Sequence, residues 1–264
     1  MTENTRLAER VVMVTGGGSG IGKGACERIA AEGGKVGVLD IRLPLAEAVA
    51  DKINASGGSA LAIQCDVAKE EDVAHAVAIL VNEYGSLYGM VANAGTAGSG
   101  WIHETTLDDW HSVLGVNLTG PFLCAKYAIP HMLAGGGGSY VVTSSIAGSV
   151  IGAGGAAASY AVSKAGVIQL AKQIAVDYGN RGIRANAIQP GAVAESNLGK
   201  HVSEDRETHE TPIAVLPRPK PWMLVRRAGH IYEEYGATIA FLLSDDSGYI
   251  TGTSIPVDGG YLAT

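Results

Sequence analysis

Cysteine is scarce. Cys26, Cys65 and Cys124 are three thiols in 264 residues, far apart and odd in number, which excludes a disulfide framework and a thiolate metal site. They read as small core residues. Long apolar runs are also missing: none approaches the roughly 18 residues that span a bilayer. The opening "MTENTRLAER" lacks the apolar core of a signal peptide, so a cytoplasmic protein without a membrane partner is expected. The sequons at Asn54 and Asn117 then mean nothing. Positive charge is in deficit, with 19 Lys and Arg against 26 Asp and Glu, a formal charge of -7 and no basic cluster. Nucleic acid is therefore not an expected partner. Seven histidines show neither H-E-x-x-H nor cysteine-paired spacing, so no metal is expected.

What the chain has is glycine, 37 residues of it, and a rhythm. Short β-rich runs recur at 10–16, 35–40, 60–67, 88–95, 139–145, 183–191 and 254–260. Alanine-rich stretches such as Lys23 to Glu32 and Ala165 to Tyr178 separate most of them and are long enough for crossover helices. Strands alternating with helices predict a doubly wound, seven-stranded parallel sheet in one α/β domain over residues 1–264, with helices on both faces. One segment breaks the rhythm. Ser196 to Val225 carries "HVSEDRETHE" and then Pro212, Pro217, Pro219 and Pro221, and reads as an irregular insertion, a candidate lid over a substrate.

The stretch "TGGGSGIG" at 15–22 follows an apolar strand and opens an amphipathic helix. The familiar G-x-G-x-x-G does not fit it, whereas Thr15-Gly16-x-x-x-Gly20-Ile21-Gly22 does. Glycines let backbone approach a pyrophosphate, and the free N-H groups of a helix start, with Ser19 beside them, supply donors. This is a Rossmann-type dinucleotide loop. Asp40 ends the second strand, 18 residues after Gly22, where a carboxylate accepts both ribose hydroxyls and repels a 2′-phosphate. NAD is thus preferred over NADP, with Arg42 nearby as a countervailing charge. Asp66-Val67 fits the adenine end, and the small residues Asn93-Ala94-Gly95 close the fourth strand where a cofactor can lie against backbone.

Tyr160 and Lys164 in "SYAVSK" are one helical turn apart, and Ser145 closes the fifth strand at the sheet edge that binds ligands. An ammonium at 4 to 6 Å lowers a pKa by roughly 1 to 3 units, which would bring Tyr160 toward general-base range. Ser145 would then hold the substrate oxygen, with Ser144 as the alternative. Asn117 lies four residues before Pro121, which has no N-H for the Asn117 carbonyl. A kink is expected there.

These residues are similar, from Val11 to Gly260, to the single-domain short-chain dehydrogenase/reductases. The matches are T-G-x-x-x-G-I-G, Asp40, Asp66-Val67, Asn93-Ala94-Gly95, Asn117, Ser145, Tyr160-x-x-x-Lys164, Pro190-Gly191 and "ITGTSIPVDGG". The resemblance implies hydride transfer with a nicotinamide cofactor, no metal, a homotetramer, and a water relay held by residue 117. It also implies that Lys164 holds the nicotinamide ribose and that Pro190, Gly191 and Val193 border the nicotinamide. The chain departs from the pattern at Glu195, where threonine is usual, and a carboxylate there is expected to turn away from pyrophosphate. The interval from Ser145 to Tyr160 is also a couple of residues longer than usual. Trp101, His103, Trp222 and Met223 are candidate walls for a substrate pocket. An NAD-dependent alcohol dehydrogenase acting on a small alcohol or ketone is the leading reading. A 3-oxoacyl carrier-protein reductase and a non-catalytic NAD sensor are the alternatives.

Overall fold

A computed structural model of the chain describes residues 5–98, 100–151, 157–195, 198 and 224–263. Strand β1, Val11–Thr15, shows how the architecture is dictated. All five residues are buried, Val11 and Met13 in one apolar layer and Val12 and Val14 in the other. A strand apolar on both faces needs cover on both, which is the condition of a parallel sheet. The chain continues through α1 (Gly20–Ala31), β2 (Lys35–Asp40), α2 (Leu43–Ala55), β3 (Ser59–Gln64), α3 (Glu70–Tyr84) and β4 (Gly89–Ala92). It then forms α4 (Leu107–Leu114), α5 (Gly120–Ala134), β5 (Gly138–Thr143), α6 (Ala158–Tyr178), β6 (Ile183–Pro190), α7 (Ala237–Leu243) and β7 (Ser254–Val257).

All seven strands pair in parallel in the order β3-β2-β1-β4-β5-β6-β7, the expected doubly wound sheet. Val73 and Ala76 of α3, Leu123 and Ala128 of α5, and Val167 and Ala171 of α6 build one core layer. Ala25 and Ile29 of α1, Val49 and Ile53 of α2, and Ile239 and Leu242 of α7 build the other. The strand order reverses direction between β1 and β4, and such a switch point opens a crevice at the carboxyl ends of the strands.

Two helical details differ from the sequence expectation. Helix α6 extends back from the alanine-rich stretch at Ala165 to start at Ala158, and its first two turns carry Tyr160 and Lys164 one turn apart, as their spacing predicts. Between α4 and α5 the helix does not simply kink. It widens into a π turn over Gly115–Thr119, in which the Gly120 N-H donates to the Gly115 carbonyl. Pro121, two residues into the following segment, donates nothing to Asn117, and the wider turn is the backbone's answer. Of the insertion expected at 196–225, Leu198, Leu224 and Val225 are described; the rest lies outside the described residues.

Candidate active site

The glycine loop is shaped by close approaches. A Cβ on Gly22 would sit 2.1 Å from the Gly16 carbonyl oxygen, and Gly16 and Gly20 have φ of +62° and +50°. The Gly17 N-H donates to the Leu39 carbonyl and the Gly18 N-H to Asp40 Oδ2, so the loop is pinned to the end of β2. Ser19 caps α1 in extended conformation without a side-chain bond, and the first turn of α1 has no acidic residue. The N-H groups of a helix start are thus left for an anion, the first test a dinucleotide site must pass.

A cleft of about 650 Å³ runs along the carboxyl ends of the strands. Gly16, Ser19, Gly20 and Ile21 line its first part, and Asp40, Asp66 and Val67 line the end beyond β2. Asn93, Ala94 and Gly95 line its floor, Ser145, Tyr160 and Lys164 its other end, and Pro190, Gly191 and Val193 its far wall. Two expected site residues lie outside the lining. Gly22 serves the loop from beneath, and Asn117 is fully buried behind it.

The Asp40 carboxylate is buried and accepts from the Gly18 and Arg42 N-H groups, with the Arg42 guanidinium 3.7 Å away. Asp66 accepts from the Ala68 N-H. Asn93 lines the cleft, but its side chain is spent on structure: Nδ2 donates to the Thr15 carbonyl and Oδ1 accepts from Thr143 Oγ1. It staples the ends of β1, β4 and β5 together.

Ser144 and Ser145 have separate tasks. Ser144 Oγ donates to the Lys164 carbonyl at 2.6 Å and so fixes α6 to β5. Ser145 Oγ accepts from the Ala147 N-H, and its hydroxyl lies beside the Tyr160 phenol. A Cβ on Gly148 would meet the Lys164 carbonyl at 2.7 Å, and Gln189 Nε2 donates to Ser149 Oγ, so this turn is held despite the longer interval to Tyr160. Behind it, Asn117 Nδ2 donates to the Thr96 carbonyl and to Ser163 Oγ, while Asn117 Oδ1 accepts from the Thr96 N-H. Ser163 Oγ donates in turn to the Tyr160 carbonyl.

Lys164 Nζ donates to the Thr143 carbonyl at 2.9 Å and lies 5.8 Å from the centre of the Tyr160 ring. Burial lowers the Lys164 amine to about 8. The expected acidification of Tyr160 is not produced by the protein's own groups. Burial pushes the phenol up, and only the neighbouring Ser145 hydroxyl opposes it.

A family model described as enoyl-(acyl carrier protein) reductase matches residues 16–262. The chain belongs to the short-chain dehydrogenase/reductase family. It is 35% identical to 2-(S)-hydroxypropyl-CoM dehydrogenase 3 of Xanthobacter autotrophicus, over 98% of this chain and 99% of that one. It is 36% identical to a cyclohexanol dehydrogenase of an Acinetobacter species, over 98% and 97%. Among solved structures, the NADPH-dependent 3-quinuclidinone reductase of Rhodotorula rubra is similar at a TM-score of 0.86 and 29% identity, covering 100% of this chain and 96% of that one. The chain is accordingly an oxidoreductase of a family that uses nicotinamide cofactors.

Within that family its own departure, Glu195, bonds His230 at 2.8 Å and is not among the cleft residues. Trp101 and His103 are not among them either, and Trp222 and Met223 lie outside the described residues. Sequence reasoning missed Ile41, Thr96, Ala97, Val116 and Thr143, which line the cleft along with the residues above, while Leu198, also in the lining, falls in the segment expected to cover a substrate. Thr96 and Ala97 extend the run that begins at Asn93, and continuing that stretch would have found them.

Proposed function

We propose that this protein is an NAD-dependent dehydrogenase of secondary alcohols that works reversibly on the matching ketones. The observation that carries the reading is a single cleft with Ser145, Tyr160 and Lys164 at one end and the buried carboxylate of Asp40 at the other. From β2 to β5 is three strand spacings, about 14 Å, a span suited to an extended dinucleotide. Gly16, Ser19, Gly20 and Ile21 would hold the pyrophosphate, with Gly22 making the tight loop. Asp40 would take the ribose hydroxyls, Asp66 and Val67 the adenine, and Lys164 the other ribose. The backbone of Asn93, Ala94, Gly95, Pro190, Gly191 and Val193 would flank the nicotinamide.

Oxidised nicotinamide, when bound, supplies the hydride acceptor and a positive charge beside the phenol. Tyr160 takes the alcohol proton as general base and returns it in the reverse direction. The Ser145 hydroxyl orients the substrate oxygen; it lies beside the Tyr160 phenol while the Ser144 hydroxyl is spent on the Lys164 carbonyl, which supports Ser145 over Ser144. Lys164 stabilises the phenolate. Asn117 holds the Thr96 and Tyr160 segments in register and, through the π turn, leads the proton from Lys164 to a water.

The reading extends to the whole protein as a homotetramer, supported by apolar side chains left outward on two helices: Phe122 of α5, 51% exposed, and Val176 of α6, 78% exposed. Sedimentation at the mass of one chain would contradict that. A reducing, cytoplasmic location is supported by three free, buried cysteines and by the lack, among the described residues, of any helix able to cross a membrane. Arg42 favours NADP as the second reading. Absorbance at the reduced-nicotinamide band, with NAD and NADP each tried against a panel of secondary alcohols, separates the two. Faster turnover with NAD is expected; turnover confined to NADP would overturn the cofactor choice, and none with either would overturn the enzyme.

A further inference from the structure

Pro190, the last residue of β6, and Gly191 and Val193 in the irregular stretch after it wall the cleft. On one side the Gly191 N-H donates to the Val257 carbonyl. On the other, the stretch is tied to residues 229–235. The Gly229 N-H and Tyr235 Oη both donate to the Ala192 carbonyl, at 2.9 Å each, and the Ala194 N-H donates to the Gly229 carbonyl. Tyr235 is buried, and a Cβ on Gly229 would strike its ring at 2.8 Å. The contact between Glu195 Oε1 and His230 Nε2 completes this row at its last rung. The Tyr232 N-H donates to His230 Nδ1, so Nε2 carries a hydrogen for Glu195 and the imidazole is held at both nitrogens.

The platform that receives these bonds is fixed. Gly24 of α1 would place a Cβ 2.3 Å from the Ile231 carbonyl oxygen, and Gly236 would place one 2.6 Å from the Gly24 carbonyl oxygen. Backbone meets backbone there, on the helix whose first turn is the glycine loop. Both ends of the cleft are thereby referenced to one block, α1 with residues 229–236. The backbone bridge between Val193 and Gly229 would start to peel from its outer end, where Glu195 sits.

We infer that Glu195 is a positioning residue, which by gripping His230 holds the Pro190–Val193 wall in place for the cofactor. This rests on the dehydrogenase reading and adds to it. A carboxylate stands where the family pattern has threonine, and it serves the loop from behind rather than meeting the cofactor. Both side chains are about half exposed, so the effect is several-fold and not orders of magnitude.

The test uses the full chain as wild type, Glu195→Ala and Glu195→Gln, with NADH binding followed by fluorescence, initial rates against NAD, and thermal unfolding. Glu195→Ala is expected to weaken NADH binding and raise the KM for NAD by about threefold to fivefold, with kcat and Tm unchanged. Glu195→Gln keeps an oxygen acceptor and is expected to restore wild-type binding. Unchanged NADH affinity in Glu195→Ala would overturn the inference. So would a fall in Tm that tracks the loss of binding, or a glutamine variant as weak as alanine. These outcomes leave wild-type turnover intact, whereas a wild type that does not bind NADH overturns the dehydrogenase reading along with this one.

Discussion

At the scale of single residues, Lys164 is the most expensive side chain in the site. It is 3% exposed, and burial lowers its amine from the ordinary 10.5 to about 8. The sign of the linkage follows. The unfolded chain keeps this proton up to about pH 10.5 while the folded chain releases it above about 8, so the unfolded state binds more protons in that window. Stability from this site is therefore lowest below pH 8 and rises as pH climbs to 10.5. Lys164→Met removes the buried charge and loses one hydrogen bond to the Thr143 carbonyl. The variant is expected to be more stable than wild type by roughly 2 kcal/mol at pH 7, with the advantage gone by pH 10.5 and turnover lost. Denaturant unfolding at the two pH values checks this, and a less stable variant at pH 7 would contradict it. Much at this scale was legible in the sequence. Tyr160 and Lys164 announce themselves by spacing, and Asp40 by its place at a strand end. The phenol's own environment was not, because burial is a property of the packed fold, and it pushes the phenol up where the spacing alone suggests a neighbouring charge that would lower it. Asn93 illustrates the same limit: its place at the end of β4 is readable, but the stapling of three strands by its side chain is not.

At the scale of elements, the strands were readable because β1 and its neighbours are apolar on both faces and bounded by glycine or polar turns. The start of α6 was readable only through the Tyr160–Lys164 spacing. Of residues 157–163 only Val162 is a larger aliphatic side chain, and it faces outward, while Ser159, Ser163 and Lys164 are buried, so no apolar stripe marks the first turns. The π turn was half legible: Pro121 shows that a hydrogen bond must fail, but not whether the helix bends or widens. The glycine loop is where an element can be broken most cleanly. Gly22→Ala would set a methyl 2.1 Å from the Gly16 oxygen and 2.6 Å from Asn93 Nδ2, so α1 must shift away from the loop. A loss of about 1 to 3 kcal/mol is expected in denaturant unfolding, with NADH affinity reduced at least about tenfold. Wild-type values for both would show that the loop does not depend on this approach.

At the scale of the whole molecule, the fold converts a sequence rhythm into a single working edge. Every parallel strand ends on the same side, so residues from 16 to 198 meet along one cleft although its clusters are scattered along the sequence. Asp40 at one end and Tyr160 at the other are set apart by strand spacing, which neither residue encodes. The claim that depends on all of this is that the Tyr160 hydroxyl carries the proton of the reaction while the remainder of the cleft binds the cofactor. The direct measurement is Tyr160→Phe, assayed for turnover of an alcohol that the wild type oxidises and, separately, for NADH binding by fluorescence. Turnover is expected to fall by at least about 100-fold with NADH affinity within about threefold of wild type. A phenylalanine variant that keeps a substantial share of the wild-type rate would contradict the assignment.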